Sequence, residues 1–360
     1  MTHMATLQLD ELGLAGFQLE LERALRQWLR PADEAVIDPL WTKAREVVTE
    51  FALRPAKRVR PTLLAAGYAV ARTAGRGGAT QLIDSESIVD FGVGLELLHA
   101  FMLVHDDVAD RAESRRGGPT LHRALEALHP GSPHEAESLA IVAGDHLYAR
   151  ALEAMLATPA PAAVRATQYM LEVCRHTAAG QHLDLALTRQ PLPFVRLSQA
   201  VKVARLKTAK YGFVAPLVCG AMLGGASPAL VSALDSVGRS AGLAYQLRDD
   251  VIGLFGDDAV AGKSGGGDFL EGKRTFPVLA AWIRADEAGR ARLETLWKQP
   301  STGTLAEARA EVERWGGLSA TERLVSKVTA QARRRLAVLP ASPVVPLLDG
   351  MLEAMAVRVS

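Results

Sequence analysis

Apolar residues recur every three or four positions along most of the chain, which is the spacing of one face of an α-helix. The first clear example is Phe17, Leu21, Leu25, Trp28 and Leu29. The same spacing predicts further helices at about 39–51, 62–74, 81–111, 119–129, 135–157, 161–188, 194–209, 213–224, 228–256, 277–338 and 344–358. Alternation of apolar and polar residues, which would indicate strands, is not sustained anywhere. The pattern therefore predicts an all-α fold.

The helix at 81–111 changes character at its end, where the apolar run gives way to Asp106, Asp107 and Asp110 and then to Arg115 and Arg116. On a helix, Asp106 and Asp110 share a face, about 6 Å apart along the axis. Two carboxylates this close repel each other without a cation between them. Mg²⁺ prefers oxygen ligands, and arginine binds phosphate oxygens with two parallel hydrogen bonds. The stretch predicts a metal–diphosphate site, with a solvated acidic helix end as the alternative.

A second acidic pair, Asp249 and Asp250, closes the helix predicted at 228–256. Two helix ends of this kind could bind one diphosphate through metal ions, as two-metal sites do. His99 lies seven residues before Asp106 and therefore on the same helix face. It is either a ligand in the same cavity or a histidine of the core. The repetition of the acidic pair favours the metal site over the solvated helix end.

A basic segment precedes the helix at 62–74. Arg54, Lys57, Arg58 and Arg60 lie within seven residues, beside two prolines. A basic loop before a helix N-terminus is well placed to bind an anion, because the helix dipole and the free N–H groups add to the side chains. The alternative is a loop that is only solvated. A second loop, at 256–275, is rich in glycine and charge and is the best candidate for a mobile lid.

Composition narrows the class of protein. Hydrophobic residues make up 49% of the 360 positions and aromatic residues 5%, which favours helix over sheet. The net charge of +1 gives no reason to expect nucleic acid as a partner. The two cysteines lie in apolar surroundings without metal-ligand spacing, as in a cytosolic protein. Without a signal peptide or an apolar run of about 18 residues, we expect a cytoplasmic protein without stable membrane insertion.

No composition shift or linker divides the chain. Residues 1–15 carry little signal, so we expect a poorly structured N-terminus followed by one domain at 16–360.

Together these motifs resemble the polyprenyl synthetase family, the trans-isoprenyl diphosphate synthases, over nearly the whole chain from Lys57 to Lys273. The matching positions are Lys57, Arg58, Arg60, Pro61, His99, Asp106, Asp107, Asp110, Arg115, Arg116, Gly117, Gly180, Gln181, Asp184, Lys207, Thr208, Gln246, Asp249, Asp250, Lys263 and Lys273. Two positions depart from the family pattern. Ala56 replaces a glycine, and Gly253 replaces the third aspartate of the second acidic motif. By similarity, we expect Asp249 to make the main metal contact of that motif.

The resemblance implies an isoprenoid synthase-type helical bundle around a central cavity, usually a homodimer. The reaction it implies is head-to-tail condensation of isopentenyl diphosphate with an allylic diphosphate, supported by three Mg²⁺ ions. The implied metal ligands are Asp106, Asp107, Asp110, Asp249 and Asp250. The implied diphosphate ligands are Lys57, Arg60, His99 and Arg116 for isopentenyl diphosphate, and Arg115, Lys207 and Lys263 for the allylic substrate. Lys273 is implied as a further substrate-binding residue. Lys207, Thr208 and Gln246 are the implied catalytic groups.

Product length is implied by two residues below the first motif. Phe101 lies five residues before Asp106, and Met102 four before it. In the family, a single aromatic at the fifth position resembles the geranylgeranyl type, so we expect geranylgeranyl diphosphate as the main product. Farnesyl diphosphate or a longer chain is the alternative. The other readings are a terpene cyclase of the same fold and a non-catalytic partner subunit of a heteromeric prenyl synthase.

Overall fold

The structure, a computed structural model, describes residues 13–30, 38–74, 83–256 and 266–357. These residues fall into two compact units. The first lies within Met1–Gln168 and Cys219–Ala226, and the second within Tyr169–Val218 and Ser227–Ser360. In the described residues the only strands form one two-stranded hairpin, and the remaining elements are helices. The all-α prediction is confirmed.

The first unit contains six complete helices and the hairpin. The helices are α1 Leu14–Trp28, α2 Pro39–Leu53, α3 Val59–Thr73, α4 Val89–Ala109, α5 Leu121–Leu128 and α6 Pro133–Ala157, and the strands are β1 Ser114–Arg115 and β2 Gly118–Pro119. Two more helices carry residues of both units, α7 Ala163–Thr188 and α9 Ala215–Leu223.

The second unit contains the remaining helices. They are α8 Leu197–Val203, a π-helix at Ala204–Val214, α10 Pro228–Phe255, α11 Gly267–Leu270, α12 Phe276–Arg284, α13 Glu287–Lys298, α14 Leu305–Arg314, α15 Gly317–Leu336 and α16 Val344–Val357. Short 3₁₀ turns lie at Leu192–Phe194 and Thr302–Thr304. The bundle of predicted helices is thus present, and the π-helix is the departure from the pattern.

Helix ends follow local chemistry. α6 begins where Ser132 and Glu135 form a capping box, with Pro133 at the first helical position. α4 begins at Val89, later than the predicted start at 81. Its delay has a local cause, since Asp84 and Ser87 form a hydrogen-bonded turn that competes with helix.

Helices α4 and α6 pack closely because each has a glycine where they meet. A Cβ on Gly94 of α4 would lie 2.7 Å from the carbonyl oxygen of Ala151 in α6. A Cβ on Gly144 of α6 would lie 2.8 Å from the imidazole of His105 in α4. Backbone contact thus holds α4 against α6 at Gly94, and next to the first acidic motif the His105 ring lies against Gly144.

In the described residues, no helix combines the length and apolar character that a membrane span requires.

The close approach of α4 to α6 makes Gly94 sensitive to substitution. We expect Gly94→Ala to lower the free energy of unfolding by about 1–3 kcal/mol, because the new methyl group meets backbone atoms of α6. Gly16→Ala is the matched control. Gly16 lies exposed in α1 with open space around its Cα, so alanine should stabilise the protein by about 0.5–1 kcal/mol. Urea unfolding of both variants measures the difference, and an unchanged midpoint for Gly94→Ala would contradict the contact.

Candidate active site

The first acidic motif lies at the C-terminal end of α4. Asp106 and Asp110 are both partly exposed, and the N–H of Asp110 donates to the carbonyl of Asp106 at 2.8 Å. Asp107 differs, because none of its surface is exposed and its carboxylate accepts hydrogen bonds from Nε and Nη2 of Arg115. The family resemblance groups Asp107 with the metal ligands, which stays a prediction. In the structure its carboxylate is paired with the Arg115 guanidinium.

Arg115 and Arg116 lie on the β-hairpin that follows α4. Arg115 pairs with Gly118, so the loop consists of Arg116 and Gly117 alone. Both loop residues have positive φ, 53° and 75°, as a type I′ turn requires. The N–H of Ala112 donates to the carbonyl of Asp107 at 2.9 Å and starts the hairpin directly at the motif. No strand was predicted here. The two glycines after Arg116 were the sequence signal for a tight turn here. The strands are too short to show an alternation of apolar and polar residues.

Four arginines surround His99 electrostatically. Burial, and then the positive charges of Arg60, Arg116, Arg115 and Arg58, hold the pKa of its imidazole well below the ordinary value. His99 is therefore neutral at pH 7 and can both donate and accept a hydrogen bond. Four members of this cluster were assigned to diphosphate binding from the sequence, namely His99, Arg60, Arg115 and Arg116.

The residues of the basic segment before α3 lie in two different environments. Lys57 is exposed and Arg60 partly exposed. Arg58 is buried, with left-handed backbone (φ 46°), and its guanidinium pairs with Glu96 at 2.6 Å and Glu22 at 2.8 Å. The local charge of Arg58 is thus balanced by carboxylates of the protein. Glu96 on α4 was not identified from the sequence, because a single glutamate in an apolar run gives no indication of its partner.

Phe101 packs against two other rings. Its centroid lies 4.6 Å from that of His105 and 5.1 Å from that of Tyr148 on α6. Phe101 and Met102 are both partly exposed. Tyr148 was missed by sequence reasoning, since its position within α6 carries no motif. The residue predicted to limit product length is therefore supported by an aromatic neighbour from another helix.

In the second unit, Lys207 and Thr208 lie in the π-helix, a conformation that is frequent at functional sites. The Lys207 ammonium pairs with Asp184 of α7 at 2.9 Å. A Cβ on Gly180 would lie 2.6 Å from the backbone nitrogen of Lys207, so this glycine permits the close approach of α7. Gly180 and Asp184 thereby hold the lysine that the sequence singled out.

A chain of hydrogen bonds links Thr208 to the second acidic motif. The Thr208 hydroxyl donates to Oε1 of Gln246, and Nε2 of Gln246 donates to Asp250 at 2.7 Å. Asp250 also accepts from the N–H of Phe276 at 3.4 Å. Burial, with the nearby charge of Asp268, raises the pKa of Asp250 to about 8. Asp250 is therefore largely protonated at pH 7, while its neighbour Asp249 remains partly exposed.

The place of the missing third aspartate is taken by a carboxylate from elsewhere in the chain. A Cβ on Gly253 would collide with the carboxylate of Asp268 in α11. Asp268 in turn lies 3.7 Å from Nζ of Lys273, which also pairs with Glu271. Asp268 was missed because it follows the motif by fifteen residues. Lys263, the other predicted lysine, lies outside the described residues.

The accessible carboxylates of the first acidic motif are oxygen donors of the kind that Mg²⁺ binds. In the described part of the chain, no three His, Cys, Asp or Glu side chains converge to hold a metal ion. Mg²⁺ characteristically binds through one or two carboxylates and completes its shell with water and substrate phosphate. Asp106 and Asp110, partly exposed on one face of α4, provide such a pair of oxygen donors.

Comparison with known proteins identifies the family to which the chain is similar. The family model "Polyprenyl synthetase" matches residues 42–312. A short chain isoprenyl diphosphate synthase of Methanothermobacter thermautotrophicus is 30% identical over 90% of this chain and 94% of that protein. A (2E,6E)-farnesyl diphosphate synthase of Mycobacterium tuberculosis is 32% identical over 69% of this chain and 62% of that protein.

Solved structures with a similar fold are also prenyl diphosphate synthases. The crystal structure of a geranylgeranyl pyrophosphate synthase from Corynebacterium glutamicum, complexed with isoprenyl diphosphate and magnesium, superposes with a TM-score of 0.83. That protein is 31% identical in sequence, and the match covers 95% of this chain and 98% of that one. With the family model spanning most of the chain and relatives similar over nearly its full length, the protein belongs to the polyprenyl synthetase family and is a trans-prenyltransferase that makes prenyl diphosphates.

Proposed function

We propose that this enzyme condenses isopentenyl diphosphate head-to-tail with an allylic diphosphate and makes mainly geranylgeranyl diphosphate. The observation that carries the chain length is the packing of Phe101, five residues before Asp106, against Tyr148. The aromatic pair lies about 7.5 Å below the first carboxylate along α4, at 1.5 Å per residue, and is proposed to stop the growing chain there. Met102 beside it is flexible and limits the chain less. A similar solved structure is named a geranylgeranyl pyrophosphate synthase, which supports the same length.

The first acidic motif is proposed to bind Mg²⁺ together with the allylic diphosphate. Asp106 and Asp110 supply the carboxylate oxygens, and three ions in all remain the expected number. Asp107 holds Arg115 through the buried ion pair, so that the arginine is oriented before substrate arrives. When bound, Mg²⁺ neutralises the charge that develops on the leaving diphosphate.

Isopentenyl diphosphate is proposed to bind at the basic residues of the first unit. Lys57, Arg60 and Arg116 supply positive charge, and neutral His99 supplies one N–H donor. The low pKa of His99 is consistent with this role, because the arginines around it already provide the charge. No metal is needed for this diphosphate.

The second unit is proposed to contribute to ionisation of the allylic substrate. Lys207 and Lys273 provide positive charge for the leaving diphosphate, and Asp249 provides a carboxylate oxygen for Mg²⁺. Lys263 is proposed for the same role as Lys207. Thr208 and Gln246 turn dipoles towards the developing carbocation while their mutual hydrogen bond fixes their orientation.

The reaction balances without a dedicated base. The allylic C–O bond breaks with its electron pair leaving on diphosphate, and the double bond of isopentenyl diphosphate forms the new C–C bond. The resulting cation loses a proton, which the released diphosphate can accept. Apolar residues around the cation exclude water that would otherwise trap it. We further propose that the enzyme is a homodimer, as the family resemblance implies.

The experiment that tests the proposed function is incubation of the purified protein alone with Mg²⁺, isopentenyl diphosphate and dimethylallyl, geranyl or farnesyl diphosphate. Product lengths are then read by mass spectrometry after dephosphorylation. Geranylgeranyl diphosphate as the main product from all three primers is expected. Farnesyl diphosphate as the end product, or chains beyond geranylgeranyl, would contradict the proposed length while leaving the enzyme class intact.

The metal-binding proposal predicts unequal effects within each acidic motif. Asp106→Ala and Asp110→Ala should each slow condensation by about 100-fold or more, because each removes an oxygen ligand of an ion that stabilises the leaving group. Folding should be preserved, since partly exposed carboxylates contribute little to stability. Asp249→Asn should be more harmful than Asp250→Asn, because the carboxyl of Asp250 is already largely neutral. Steady-state kinetics decides, and the reverse order would show that Asp250 is the principal ligand.

The chain-length proposal predicts longer products when the aromatic pair is removed. Phe101→Ala and Tyr148→Ala should each shift the product distribution upward by at least one isoprene unit, because either change opens space below the first motif. Leu98→Ala, three residues further down α4, should lengthen the products only in the Phe101→Ala background. An unchanged distribution in a folded Phe101→Ala protein would place the limit elsewhere.

A further inference from the structure

Arg54 stands apart from the other cations of the basic segment. It follows the last residue of α2 directly, and only 7% of it is exposed. From the sequence it belongs to the cations placed to meet an anion. In the structure its side chain turns inward and contacts α2 and the β-hairpin instead.

The hydrogen bonds of Arg54 leave little capacity for a substrate. Nε and Nη2 donate to the two carboxylate oxygens of Glu50 at 3.0 and 2.8 Å. Nη1 donates to the carbonyl oxygens of Arg115 at 3.0 Å and Pro119 at 2.6 Å. A guanidinium has five N–H donors, so four are satisfied within the protein. The carboxylate of Glu50 also balances its charge.

The hairpin is shaped to receive this guanidinium. A Cβ on Gly118 would lie 2.8 Å from Cζ of Arg54, so only glycine leaves room for the group at this position. Gly118 pairs with Arg115 in the ladder, and the two carbonyls bound by Nη1 lie on opposite strands. Arg54 therefore bridges both strands next to the loop that carries Arg116.

We propose that Arg54 is a positioning residue, which fixes the hairpin so that Arg116 meets the diphosphate of isopentenyl diphosphate. The inference rests on the proposed role of Arg116. A two-stranded hairpin is at best marginally stable by itself, and each strand here has two residues. Arg116 also has left-handed backbone, which residues other than glycine adopt at a cost in energy. The bridge from Arg54 stabilises this conformation from the side of α2.

Two variants test the proposal with the full-length enzyme. Arg54→Lys keeps the positive charge but removes the planar guanidinium that bonds several acceptors at once. Gly118→Ala keeps Arg54 but displaces its guanidinium. Each should raise KM for isopentenyl diphosphate by about 10-fold or more, because the arginine that binds it is misplaced, while kcat at saturation changes less. Lys43→Ala, which removes an exposed charge from the same helix, is the matched control and should leave both constants unchanged.

Two further measurements separate positioning from general damage. Hydrogen exchange should accelerate in the peptide covering residues 112–120 in both variants and remain unchanged in Lys43→Ala. In the Arg116→Ala background, Arg54→Lys should have little additional effect on KM, because both changes act through the same contact. If Arg54→Lys does not fold, Gly118→Ala carries the same test.

The outcomes distinguish the two proposals. Unchanged exchange and KM in Arg54→Lys, or full additivity with Arg116→Ala, would overturn the role of Arg54. Hydrogen exchange that accelerates in Arg54→Lys and Gly118→Ala, with KM unchanged in both and also in Arg116→Ala, would overturn the role of Arg116 in substrate binding. The functional part of this inference would then be wrong as well. Accelerated exchange with a raised KM in both variants supports both.

Discussion

The ion pair between Asp107 and Arg115 is the interaction on which the first half of the site depends. A carboxylate with no exposed surface is costly to bury unless it is paired and hydrogen-bonded, and Arg115 provides both with two N–H groups. The pair joins the end of α4 to the hairpin, so the acidic motif and the arginines after it form one connected structure. Asp106 and Asp110, at the same end of α4, remain partly exposed.

Helix periodicity predicted the fold well, because each helix buries one face and the apolar spacing records that face. The acidic motifs, the arginine pair, His99 and the Lys207–Thr208 pair were likewise visible in the sequence. What the sequence did not predict depends on contacts between distant segments. The bridge from Arg54 to the hairpin, the pairing of Arg58 with Glu96 and the ring of Tyr148 against Phe101 have no local signature. A two-residue strand is too short to alternate, and the π-helix has no distinct apolar period.

At Gly253, the carboxylates that lie together in the structure differ from those that lie together in the sequence. The sequence indicated a second motif with one carboxylate fewer than the family pattern. In the structure, Asp268 of α11 lies against that glycine, and its charge helps to keep Asp250 protonated. The acidic group of the second unit is therefore assembled from two segments. Asp250 is buried and Asp249 is partly exposed, and the main metal contact expected of Asp249 stays a prediction.

Because the cations of the basic segment differ in burial, their electrostatic interactions should respond differently to ionic strength. Lys57 is exposed, so its attraction for a diphosphate is screened beyond about 8 Å at physiological salt. Arg54 and Arg58 are buried against carboxylates, where salt screens much less. One short segment thus contains a charge whose reach depends on salt and two ion-paired arginines whose contacts salt weakens little. If Lys57 binds isopentenyl diphosphate as proposed, rising salt should slow the encounter with substrate at concentrations that leave the buried ion pairs intact.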